Sequence, residues 1–249
     1  MLSGLIVTLN EEMHVRDCIM SLQEVCTDIL VVDSFSSDKT IEIAQEYGAR
    51  VLQQAYAGDG PQKAFATTHA AFDWVILLDA DERLSPAAIK EIRSLPLQEL
   101  APETCFSFKR DTFIGNQQIK GAWGKDIIVR MFNRNTKEFI PMADHSRVVD
   151  KGELETTSIQ PLKGTIIHYG FKDSLHLATK SLWLCGRESK SKKNVSMGSA
   201  ISHAIAAFIR MYFLRLGFRD GLNGLTIAMT SSYYTYLKYA AAFERERSK

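Results

Sequence analysis

Cysteine is scarce and scattered: Cys18, Cys26, Cys105 and Cys185 are the four in 249 residues, in no C-x-x-C pair and at no metal-ligand spacing. That excludes a disulfide framework and a zinc site, and leaves four small core residues, reduced thiols of a cytosolic protein. An excess of either charge is lacking too. With 30 Lys and Arg against 29 Asp and Glu, the formal net charge of +1 argues against a dedicated nucleic-acid binder, so any cationic function must be local. No stretch offers the roughly 20 uninterrupted apolar residues of a spanning helix. Residues 1–10 have no basic segment before their short apolar run, and read as a first strand rather than a signal peptide. Neither G-x-G-x-x-G nor a Walker A motif occurs, so neither a dinucleotide fold nor an ATPase is supported.

What is present is organised around Trp74-Val75-Ile76-Leu77-Leu78-Asp79-Ala80-Asp81-Glu82. The unbroken apolar run reads as a strand buried on both faces, and Ser85-Pro86 as the N-cap and first residue of a helix. The three acids then lie in the turn between them, at the carboxyl edge where open α/β sheets bind ligands. Asp79 and Asp81 flank one small residue and can converge, which mutual repulsion disfavours unless a cation is shared. A hard divalent ion, Mg²⁺ or Mn²⁺, fits, because it takes one or two carboxylates and keeps positions for phosphate oxygens. The plain alternative is a solvated acidic loop that caps the helix.

Around this stretch strand and helix alternate four times. Leu5-Ile6-Val7, Ile29 to Val32 and Val51-Leu52 precede the Trp74 strand, and Val15, Cys18, Ile19 and Leu22 recur at helical spacing after Asn10, a candidate cap. The pattern predicts an α/β fold with a mostly parallel, Rossmann-like sheet flanked by helices. Thr8, Asn10, Glu11, Asp33 and the acidic turn then share one edge. Asp33 suits a base or ribose, or equally a cap for its own turn. Lys63, at a helix start, suits a diphosphate, or is a solvated lysine.

Ile6-Val7-Thr8-Leu9-Asn10-Glu11-Glu12, Val31-Val32-Asp33-Ser34-Phe35-Ser36-Ser37-Asp38-Lys39-Thr40, Gly60-Pro61-Gln62-Lys63 and Asp73-Trp74 through Asp79-Ala80-Asp81-Glu82 resemble the inverting glycosyltransferases of family 2. The resemblance runs nearly end to end, is specific in the first half, and is closest to the lipopolysaccharide-core β-glucosyltransferases. It implies a GT-A fold, a nucleotide-sugar donor (UDP-glucose) and a divalent metal ion. It also implies that Thr8 and Asp33 hold the uracil, that Lys63 lies near the diphosphate and Asp79 near ribose and metal, and that Asp81 ligates the metal.

In the second half, Phe106 to Arg110 and Ile127 to Phe132 read as strands, joined by a glycine-rich link holding Trp123. Trp123 suits stacking on a sugar or a place in the core, and Arg110 and Arg130 suit acceptor phosphates or a solvated strand end. Inverting transfer needs a base for the acceptor hydroxyl. Asp126 and Asp144 are the carboxylate candidates, with His145 a third. Where the family shows Trp-x-Pro-Asp this chain has Trp123-Gly124-Lys125-Asp126, and where it has His-Glu this chain has Asp144-His145-Ser146. His168 ends a short strand and is a candidate for the metal or pyrophosphate, or a satisfied strand-end histidine.

From Ser174 the pattern turns helical, so residues 1–173 are expected to be catalytic (1–98 the donor half, 99–173 the acceptor half) and 174–249 an amphipathic extension. Ile201 to Phe218 mixes apolar and aromatic residues with Arg210 and Arg215: too charged to span, suited to the headgroup layer. The basic cluster at 187–193 would meet anionic lipid at about 1 kcal/mol per charge. Packing on the catalytic domain, or an oligomer contact, is the alternative. Together these features predict a metal-dependent hexosyltransferase acting on a glycolipid or lipopolysaccharide core, peripheral at the cytoplasmic face of the inner membrane. An inactive nucleotide-sugar-binding or membrane scaffold protein is the non-enzyme alternative. An aspartate-nucleophile phosphatase is disfavoured, because Glu82 stands where a threonine would follow the acids.

Overall fold

The structure, a computed structural model, describes residues 1–124, 126–140, 146–188 and 196–247. Asp144 and His145 lie outside these, as does most of the basic cluster at 187–193. The chain divides into two compact units, residues 1–110 with 125–168, and residues 111–124 with 169–249.

The first unit opens with β1 (Leu2–Thr8), α1 (Val15–Gln23), β2 (Asp28–Asp33), α2 (Thr40–Glu46), β3 (Arg50–Gln53), α3 (Asp59–Thr68) and β4 (Trp74–Asp79). These four strands pair in parallel in the order β3-β2-β1-β4. Alternate residues serve opposite faces. Ile6, Val31, Ile76 and Leu78 pack with Val15, Cys18, Ile19 and Leu22 of α1, while Leu5, Leu30, Val75 and Leu77 pack with Ala66 of α3. Burial on both sides is why the β4 sequence has no polar residue before Asp79.

The predicted helix cap at Asn10 is not what forms. Helix α1 begins later, at Val15, with His14 at its N-cap and no side-chain cap. Asn10 instead sits at φ 55° and stitches two loops: its amide donates to Ser36 Oγ at 2.8 Å and its Oδ1 accepts from the Ser37 amide at 2.8 Å. A short polar side chain tolerates that left-handed backbone, and the same side chain then binds locally.

After β4 come β5 (Glu82–Leu84), α4 (Pro86–Arg93), β6 (Cys105–Ile114), β7 (Gln117–Gln118), β8 (Asp126–Asn133), β9 (Lys137–Phe139), β10 (Val148–Asp150) and β11 (Ile159–Phe171). They extend the sheet as β4-β8-β6-β11-β5, with β8 antiparallel to both β4 and β6, and β5 antiparallel to β11. The turn holding the acids is shorter than the sequence suggests. Only Ala80 and Asp81 occupy it, because Glu82 opens β5 and is fully buried there. A strand of three residues shows no periodicity to read. Ser85 does cap α4, its Oγ accepting from the Ala88 amide at 3.2 Å.

In the second unit β7 folds back on the end of β6, and α5 (Ser174–Glu188) and α6 (Met197–Ile209) follow. A π turn at Arg210–Leu214 and a 3-10 turn at Gly217–Asp220 lead into α7 (Gly221–Arg247), which packs on α5 and α6. Met197–Leu214 is long and apolar enough, by length and composition, to cross a membrane, which qualifies the expectation that this stretch is too charged. Its 18 residues reach about 27 Å, slightly less than a hydrocarbon core. Only 22 % of that run is buried, so it is not a core helix.

Candidate active site

Two strand ends meet first. Thr8 and Asp33 are register partners at the ends of β1 and β2, and both are buried. Asp33 accepts from the Ser36 amide at 2.8 Å and from Ser36 Oγ, so its carboxylate caps its own turn. Thr8 Oγ1 is buried with no hydrogen-bond partner, and so is Gln62 Oε1. Unpaired buried polar atoms cost free energy, and at a sheet's carboxyl edge they mark where a ligand's donors and acceptors would fit. Gln62, which the sequence does not single out, holds this edge together through Nε2 bonds to Ser34 Oγ (2.9 Å) and the Gln54 carbonyl (3.1 Å). Glu11 lies in the adjoining loop, its amide bonded to Thr40 Oγ1 at 2.8 Å.

Beyond β4 lies a string of alternating charges. Lys63 Nζ reaches Asp59 Oδ1 at 2.9 Å and Asp79 Oδ1 at 3.1 Å. Arg130 Nη2 donates to Asp79 Oδ2 at 2.8 Å and to Glu82 Oε1 at 3.1 Å. Arg110 Nη1 meets the same Glu82 oxygen at 3.1 Å, while its Nε donates to Asp126 Oδ2 at 2.7 Å. Glu82 also accepts from the Asp79 amide at 3.0 Å, which makes it the knot of the string. Burial alone would raise the Asp79 pKa, but the charges of Arg130 and Lys63 outweigh it and hold the carboxyl well below its ordinary value. Burial would likewise lower Arg130, and Asp79 and Glu82 reverse that and raise it.

A cleft of about 410 Å³ opens beside the string, lined by Lys63, Asp79, Arg110 and Arg130 on its polar side and by Ile127, Val129 and Phe139 on its apolar side. Lysine and arginine fixed in this way can take up an anion without first losing side-chain freedom.

Asp79 and Asp81 have different partners. While Asp79 faces Lys63 and Arg130, Asp81 Oδ2 lies 3.4 Å from His168 Nε2, because β5 sets His168 opposite Glu82 across its pairing with β11. Among the described residues no group of three or more His, Cys, Asp or Glu side chains is arranged to hold a metal ion. The oxygen and imidazole donors of Asp81 and His168 still suit a divalent ion that takes most of its ligands from phosphate and water. Trp123 belongs to the second unit, its ring 5.5 Å from that of Phe171. Sequence reasoning thus assigned no role to Glu82, the residue that organises the arginines. Its only signal was a third acid directly after Asp79 and Asp81.

Residues 3–95 match the family described as glycosyl transferase family 2. Over 271 residues the chain is 26% identical to the lipopolysaccharide core biosynthesis glycosyltransferase LpsC of Rhizobium meliloti, an alignment covering 100% of this chain and 94% of that one. Residues 3–95 thus carry a glycosyl transferase family 2 domain. The chain is also similar to an uncharacterized glycosyltransferase of Rickettsia bellii, 27% identical over 251 residues that cover 96% of this chain and 85% of its relative. Among solved structures, S. aureus TarS superposes with a TM-score of 0.50 at 13% identity, covering 92% of this glycosyltransferase and 55% of TarS. That likeness concerns the fold alone, and agrees with the α/β, GT-A architecture expected from the sequence.

Proposed function

We propose that this glycosyltransferase moves a hexose, with inversion, from a UDP-sugar (UDP-glucose) to a glycolipid of the lipopolysaccharide core at the cytoplasmic face of the inner membrane. The observation that carries the reading is the cleft beside the charge string, where Lys63 and Arg130 stand ready beside a strand-end carboxylate. The alignment with LpsC along the whole chain supports the choice of acceptor class.

In this reading Thr8 and Asp33 receive the uracil, with Asn10 and Glu11 shaping the loop beside it, and Lys63 and Arg130 lend their charge to the diphosphate from their places beside Asp79. A divalent ion, held by Asp81 and His168 with Asp79 near, would supply positive charge to the departing diphosphate. Asp126 or Asp144, with His145 as the third candidate, takes the proton from the acceptor hydroxyl. Arg110, bonded to both Glu82 and Asp126, orients the first of these carboxylates. Trp123, in the second unit, is assigned to stacking on a sugar of the acceptor, and Arg110 and Arg130, in the first, are assigned to acceptor phosphates. The exposed apolar side chains of α6 and α7 seat the enzyme in the headgroup layer of an anionic membrane.

The test pairs calorimetry with UDP and Mn²⁺ with mass spectrometry of products from a nucleotide-sugar panel and cell-envelope glycolipids, on the native chain and on Asp81→Ala. The native protein should bind and transfer. The variant should lose transfer by about a hundred- to a thousandfold, as removal of a group that stabilises transition-state charge does, with its thermal melt unchanged. Near-normal transfer by Asp81→Ala removes that residue from the chemistry, and binding without any product favours a scaffold.

A further inference from the structure

The tip of the α6–α7 hairpin is built more elaborately than a helix reversal needs. Asp220, 3 % exposed, accepts backbone hydrogen bonds from three successive residues. Lys120 donates at 2.8 Å, Gly121 at 2.9 and 3.0 Å to the two oxygens, and Ala122 at 2.9 Å. Its own carbonyl accepts from Gln117 Nε2 at 2.9 Å, and Gln117 Oε1 accepts from Asn223 Nδ2 at 3.0 Å. Arg215 Nη1 donates to the Ala122 carbonyl at 3.4 Å. Consecutive N–H groups converging on a carboxylate form an anion nest, and charge-assisted bonds of this kind are the strong ones.

Nor does the arrangement leave slack. A Cβ at Gly121 would fall 2.3 Å from the Leu216 carbonyl oxygen and 2.8 Å from Asp220 Oδ2. Leu216 itself is held at φ 58°, in the left-handed region that a branched side chain avoids. A strained residue and a buried charge persist only where the surroundings over-determine them, and such sites cluster near function. What the tip determines is the backbone that leads into Trp123.

We propose that Asp220 is a positioning residue for the acceptor. It fixes residues 120–122 so that Trp123 presents one ring orientation to the acceptor sugar, and it thereby ties acceptor binding to the α6–α7 hairpin. This rests on the transferase reading and on the stacking role given to Trp123.

The test replaces Asp220→Asn in the full chain, which keeps the shape but removes the charge and turns an NH₂ group toward backbone donors. Amide exchange at Lys120, Gly121 and Ala122 should quicken about tenfold, the loss expected for hydrogen bonds to a charged group. The acceptor KM should rise by about as much while the donor KM stays put, and the effect should vanish in a Trp123→Ala background, as coupled residues require. Gln117→Ala leaves the Asp220 carboxylate in place, removes the bonds to the Asp220 carbonyl and from Asn223, and should raise the acceptor KM about two- to threefold. It carries the test alone if Asp220→Asn does not fold. Faster exchange with an unmoved acceptor KM, or equal losses for donor and acceptor, overturns the proposal. A native chain that transfers nothing overturns the transferase reading instead, and the exchange measurement separates the two because it needs no turnover.

Discussion

In the first unit, Lys63, Asp79, Arg130, Glu82, Arg110 and Asp126 are drawn into a bonded string beside a cleft, whereas in the second, Met197, Ile201, Ile205 and Ile209 stand out of α6 into solvent. The first unit buries charge and the second exposes hydrocarbon. Each departs from the usual partition of a folded chain, and each departure is where the proposed function places a ligand. Buried charges in a string are compensated by one another, so the unit tolerates them. Apolar side chains repeating every fourth residue along a helix have no such compensation in water. In the proposed function the apolar part of a membrane supplies it.

The contrast breaks most readily at Glu82. Glu82→Ala leaves two guanidiniums without their shared acceptor and should cost about 3–5 kcal/mol in a urea titration. A loss below about 1 kcal/mol, the value of an exposed pair, would mean that water reaches the string and that it is not a buried network. Next in size is the outer face of the hairpin. Ile205→Glu and Met229→Glu, at exposed positions on α6 and α7, should each leave stability within about 0.5 kcal/mol of the parent. Each should also weaken sedimentation with anionic vesicles about tenfold, as losing a buried apolar side chain does. Unchanged vesicle binding together with a collapse in stability would instead make this face an internal one.

The smallest effect sharpens the comparison within the first unit, at an ion pair outside the string. Lys137, fully buried, donates to Asp150 and to the Thr157 carbonyl at 2.9 Å, and the hydrogen bond from Lys137, then that from Thr157, holds the Asp150 carboxyl below its ordinary 3.8. A carboxyl depressed in the folded state stabilises it fully above the unfolded pKa and loses that contribution as pH falls through the folded one. The stability gap between the native chain and Asp150→Asn should therefore be constant near neutrality and close in acid, below about pH 4. A gap that stays flat down to the acid limit would show that packing rather than charge is what the substitution removes.

Several features were legible in the chain itself because they rest on local patterns. The α1 face of Val15, Cys18, Ile19 and Leu22, the two-sided burial of Val75 to Leu78 and the Ser85-Pro86 start of α4 follow from periodicity and capping chemistry, which need only neighbours in sequence. The same applies to the motif stretches that placed residues 3–95 within family 2. Tertiary structure alone decided that Asp79 turns to Lys63 and Arg130 while Asp81 turns to His168, and that Arg110 and Arg130 are inward partners of Glu82. It also decided that Asp220 reaches back about a hundred residues in sequence to clamp the loop before Trp123. Charges have no periodicity that names their partners. Which carboxylate meets which cation depends on strand register and on the desolvation that packing imposes, and neither exists until the sheet has closed.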